Sequence, residues 1–102
     1  MFWWGPKVGY DNKNRLRIRY GYDDDLYEGD DWEFIYAFDR QNSQRFIEAI
    51  RTGEDPGTLA EYIESHFDSR SILEEFCKKN GIHGESTHIG EYPPTFFGPY
   101  EF

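Results

Sequence analysis

Residues 15–39 read RLRIRYGYDDDLYEGDDWEFIYAFD, and two strand patterns meet there across an acidic gap. In the first eight residues Leu16, Ile18, Tyr20 and Tyr22 fall on one side, and Arg15, Arg17 and Arg19 on the other. Alternation with period two marks a strand with one buried face. The last nine put Trp32, Phe34, Tyr36 and Phe38 on one side, and Glu33, Ile35 and Ala37 on the other. Apolar residues on both sides of 34–38 predict a central strand covered at least partly on both faces. Upstream, KVGY runs into the turn-rich DNKN, so residues 2–10 and 15–22 are expected to pair as a hairpin.

Downstream the period changes. RQNSQRFIEAIRTG carries Phe46, Ile47 and Ile50 at helical spacing with Gly53 beyond them, which predicts a helix over 42–52. Leu59, Tyr62, Ile63 and Phe67 form one stripe of a second helix over 57–67. Ile72, Leu73, Phe76 and Cys77 do the same over 69–80, with Lys78 and Lys79 near the C-terminal end and Gly81 as the stop. Short one-sided helices need a surface, and the aromatic face of the sheet supplies one. The expected fold is α+β: an antiparallel sheet of three to four strands (2–10, 15–22, 31–39 and a candidate fourth at 86–92) packed by three short helices, in one domain spanning 1–102. Pro93, Pro94 and Pro99 argue against long regular structure after 92. Phe96, Phe97, Tyr100 and Phe102 are expected to pack across the uncovered sheet face, near Ile35 and Ala37.

Composition narrows the function classes. There are 20 acidic and 11 basic residues, a net charge of −9, which repels nucleic-acid backbones and anionic membranes and favours basic partners. Aromatic residues make up 20% of the chain, more than a core of this size usually holds, which hints at a binding surface. The single cysteine, Cys77, excludes an internal disulfide; with no signal peptide and no apolar run of membrane-spanning length, a cytoplasmic location is expected.

The acidic stretch fails as a calcium loop in both registers. Counting from Asp23, Glu28 stands at the sixth position, where glycine is needed; counting from Asp24, Leu26 is third and Ile35 twelfth. His83-Gly84-Glu85 matches a fragment of the zinc-deaminase pattern, but no cysteine pair follows. An irregular divalent-ion site on the acidic stretch is a lesser alternative, and His83, Glu85 and His88 are the candidates for an enzyme or metal reading elsewhere. Cys77 lies on an apolar stripe with no base indicated beside it. Glycine-rich phosphate loops and nucleophile elbows are absent. Arg15, Arg17 and Arg19 could grip phosphates, but cross-strand pairing with Glu33 is the cheaper use. No catalytic residue, metal or cofactor is therefore assigned.

What the acidic stretch suits is a basic protein. Clustered carboxylates speed association with a basic surface, and neighbouring aromatics supply apolar anchors. The expected partner-binding residues are Tyr22, Asp23, Asp24, Asp25, Tyr27, Glu28, Asp30, Asp31 and Trp32. A small, acidic, aromatic-rich chain with the stretch DDDLYEGDD and no catalytic motif resembles the immunity proteins of bacterial contact-dependent growth inhibition and related polymorphic toxin systems. That resemblance implies a non-catalytic inhibitor that binds a cognate toxin, often a nuclease, and it assigns no residue. A nucleic-acid mimic is the alternative; it would spread carboxylates along one face, whereas here they concentrate in one connection. The plainest alternative is a solvated loop.

Overall fold

The computed structural model describes residues 2–23, 32–50, 59–90 and 95–102. Five strands form one antiparallel sheet in sequence order: β1 (Phe2–Tyr10), β2 (Leu16–Asp23), β3 (Trp32–Phe38), β4 (Glu85–Gly90) and β5 (Thr95–Glu101). Between β3 and β4 come α1 (Arg40–Ile50), α2 (Leu59–His66) and α3 (Arg70–Asn80). The α+β class and the hairpin of the first two strands are as expected; the strand count is one higher than the upper expectation. None of the described helices is long and apolar enough to cross a membrane.

The β1–β2 turn is organised by Asp11. Its carboxylate accepts the backbone N–H groups of Lys13 and Arg15 and pairs with the Arg15 Nε at 2.7 Å. These bonds stabilise the ionised form, so the Asp11 carboxyl is pulled down to about 2.

Register sets the two faces of the sheet. Leu16 lies opposite Phe38, Ile18 opposite Tyr36 and Tyr20 opposite Phe34, so this side is a stack of large apolar groups. Leu16, Ile18, Tyr20, Tyr36 and Phe38 are buried there with Phe46, Ile50, Ile63, Phe67, Leu73, Cys77 and Ile82. All three helices therefore cover one face. Burial pushes the Cys77 thiol up to about 12, which fits an inert core residue.

Helix boundaries follow capping chemistry. Asp39 accepts the Asn42 backbone N–H at 2.7 Å, so α1 begins two residues before the expected start. Ser69 caps α3, and Gly81, at φ 66°, returns its N–H to the Cys77 carbonyl as the expected stop. Gly53 and the expected helix ends at 51–52 and 57–58 lie outside the described residues.

Ser43 ties α1 to the sheet. Its buried hydroxyl accepts the Leu16 N–H and donates to the Phe38 carbonyl, both at 3.0 Å, clamping one end of the β2–β3 pair. Ser43→Ala would strand the Leu16 N–H away from water and is expected to cost about 1–3 kcal/mol. Urea denaturation should show a lower midpoint at unchanged slope; an unchanged midpoint would contradict the clamp.

The C-terminal segment departs from expectation. Thr95–Glu101 is a fifth strand on β4, because an edge strand tolerates a proline whose missing N–H points away from the sheet. Pro99 sits where the register slips between Ser86 and His88. Phe97 and Phe102 turn to the helix side rather than across the Ile35 and Ala37 face: Phe97 lies beside Trp32, and Phe102 packs edge-on against Tyr36 and Phe38. Tyr100 also lies on that side, beside His88, while Phe96 is exposed opposite Ile89 on the far face. The other edge repeats the device. Trp3-Trp4-Gly5-Pro6 in β1 matches Phe96-Phe97-Gly98-Pro99 in β5, each with a glycine at positive φ and a local register shift. Proline and irregular register at both edges hinder pairing with another strand.

Candidate protein-binding surface

The last residue pair before the acidic connection is Tyr22 opposite Trp32, with Trp3 opposite Tyr22 and Gly90 opposite Trp32. Gly90 is needed there: a Cβ would lie 2.4 Å from the Trp32 ring. That close approach lets Trp32 lean across β4 until it stacks near Phe97, with ring centres 6.0 Å apart and planes 22° from parallel. Along β3, Phe34 lies 6.2 Å from Trp32 at 15°. On the other side Trp3 lies 6.4 Å from Phe34 at 26° and 4.9 Å from Tyr22.

Trp3, Tyr22, Trp32 and Phe34 line a shallow hollow of about 330 Å³. Trp3 is 63% exposed, an unusual display of indole surface for a residue inside a strand. From α3, Arg70 reaches this end of the sheet. Its guanidinium lies 3.6 Å over the Phe34 ring, while its Nε donates to the Tyr36 hydroxyl at 3.0 Å. Tyr36 in turn donates to Glu74 at 2.5 Å, and burial pushes its phenol up to about 12. Burial and then the Arg70 charge hold the His88 imidazole below its ordinary value. The aromatic shelf thus already accepts one guanidinium on a ring face.

Of the expected binding residues, the structure brings Tyr22 and Trp32 together and places Asp23 at the end of β2, opposite Phe2. Asp24, Asp25, Tyr27, Glu28, Asp30 and Asp31 lie outside the described residues. Arg19 makes the expected cross-strand pair with Glu33 at 3.2 Å. Arg15 is used in the turn instead.

His83, Glu85 and His88 do not converge. His83 is exposed, with its Nδ1 3.1 Å from the Phe102 carbonyl. Glu85 shares the Ala37 face of the sheet and His88 the Phe34 face, as their register partners show. Among the described residues, no group of three His, Cys, Asp or Glu side chains could hold a metal ion.

Trp3, Phe34 and Phe97 complete a surface that alternation alone does not assemble. Extended from Val8, a period of two would send Trp3 to the far face. The register shift between Trp4 and Lys7 reverses that parity. Gly5-Pro6 was the available signal, since that pair inside a strand marks a bulge. Comparison with protein-family models, curated proteins and solved structures finds no match to this chain.

Proposed function

We propose that the chain is a non-catalytic inhibitor of the immunity type, which binds and neutralises a basic protein, a nuclease-type toxin in the cytoplasm. The observation that supports this most is the position of the aromatic hollow. The strands that carry the six carboxylates of residues 23–31 present Tyr22 and Trp32 at their paired ends, beside an exposed Trp3. Carboxylates attract a basic surface over distance; the rings then receive its apolar stems and guanidinium groups at contact. Tryptophan and tyrosine surrounded by charge are the residue types that dominate binding energies at protein interfaces.

The test begins with capture of the partner from the source cell and its purification. Trp3 is exposed enough that Trp3→Ala should leave the fold intact, yet it should weaken the complex about 10–100-fold. Calorimetry on the purified pair measures this. Unchanged affinity would remove the hollow from the interface, and capture of an acidic partner would remove the reading as a whole.

A further inference from the structure

We infer that the sheet face turned away from the helices is a two-fold interface between two copies of this chain. The apolar residues Ile35 and Ala37 of β3 and Ile89 of β4 share this face, are only partly buried, and lie outside the helix-side core. At its margin, opposite Ile89, Phe96 is 68% exposed. A β3 apolar on both sides, with one side outside that core, is what an interface strand presents.

Charge on the same face is polarised across the strands. Lys7, Arg17 and Arg19 lie on the β1–β2 side, and Glu85 and Glu101 on the β4–β5 side. Glu85 and Glu101 are directly opposite one another, a repelling arrangement, and Arg15, which lines the same hollow, is already paired with Asp11. Arg19 is already paired with Glu33, whereas Arg17 has no carboxylate partner among the described residues.

A two-fold axis along β3, in the plane between two such faces, satisfies both demands. It lays β2 of one copy over β4 of the other and β3 over β3. Register puts Arg17, Ala37 and Glu85 in one cross-strand row, so Arg17 of each copy meets Glu85 of the other while Ala37 meets Ala37. Ile35 meets Ile35 in the next row, and Trp4 comes over Phe96 at the far end. Aligned sheets cross at about 30°, which offsets β2 against β4 by about one residue, within reach of an arginine side chain. The same axis sets Glu33 against Glu33, each held by its own Arg19, whereas an axis across the strands sets the β2 arginines against one another, so the first orientation carries the smaller repulsion. Edge-to-edge pairing is hindered at both edges, which leaves the face.

Five strands about 4.8 Å apart and some six residues long cover about 500 Å² per copy, or about 1,000 Å² in all, the lower limit for a specific interface. The dimer is accordingly weak. The same axis brings both β2–β3 connections to one end, where their carboxylates repel, so moderate salt favours association.

Sedimentation velocity from about 1 to about 500 µM, in moderate salt, spans the range such an interface requires. Wild type should move from the 12.2 kDa chain mass towards twice that value. Arg17→Glu and Glu85→Arg should each weaken association about 10-fold or more, and the double exchange should restore it to within about 3-fold of wild type. Ile35→Lys, checked for fold by circular dichroism, should be a monomer throughout. A wild type that stays monomeric at the top concentration overturns the inference. So does a dimer that survives Ile35→Lys, or one that the double exchange fails to restore.

Discussion

Phe46→Ala is expected to remove about 3–5 kcal/mol of stability, the largest loss foreseen for a single residue here. Phe46 is 0% exposed and sits where three elements meet. Its ring lies 5.4 Å from Phe38 on β3, 5.8 Å from Phe67 after α2 and 5.3 Å from Phe76 on α3. Removing it empties the junction that holds all three helices to one sheet face, and rings anchored on separate elements cannot all collapse into the gap. A domain of this size holds about 5–15 kcal/mol in total, so the variant stands near the edge of folding. Its thermal midpoint should fall by roughly 15 °C or more. Ile47→Ala, one residue along and only half-buried, is the control and should lose far less. Equal losses at the two positions would mean that the junction is not packed around Phe46.

Reversing charge at Asp23, Asp24, Asp25, Asp30 and Asp31 is expected to slow association with a basic partner about 100-fold at low salt. Five Asp→Lys changes turn the most acidic stretch of the chain basic and shift the net charge by +10, from −9 to about neutral. Long-range attraction acts on the encounter rate more than on the lifetime of the complex, so stopped-flow association is the measurement that discriminates. Wild-type association should slow steeply between low and physiological salt, and the reversed variant should lose that dependence. If the variant binds the same partner at an unchanged rate, the acidic connection is no part of the interface. Trp3→Ala separates the two components, because an exposed indole affects dissociation and leaves the salt dependence alone.

The elements most legible in the sequence were those whose pattern is local. The alternation in 15–22 and 32–38 set β2 and β3, and single stripes set α2 and α3, with Gly81 marking the end of the latter. The Asp39 cap was less legible: an acidic residue closing a strand pattern also reads as the strand's own end, and only the Asn42 N–H on its carboxylate decides. β5 was not legible, because three prolines within seven residues read as irregular chain. An edge strand is the one place in a sheet where a missing N–H does no harm, and being an edge is not a local property.

The candidate site divides in the same way. The sequence by itself determined its chemistry: a strongly acidic connection bracketed by Tyr22 and Trp32, and a cysteine on an apolar stripe. Only the tertiary structure decided that Trp3 and Phe34 join them, that His83, Glu85 and His88 do not converge, and that Ile35 and Ala37 lie outside the core the described helices cover. The physical reason is parity. A bulge of one residue reverses every side chain beyond it, and a strand carries no mark of which face its distant neighbours will occupy. Side-chain type is written along the chain, but the side it faces is settled only when the strands pair.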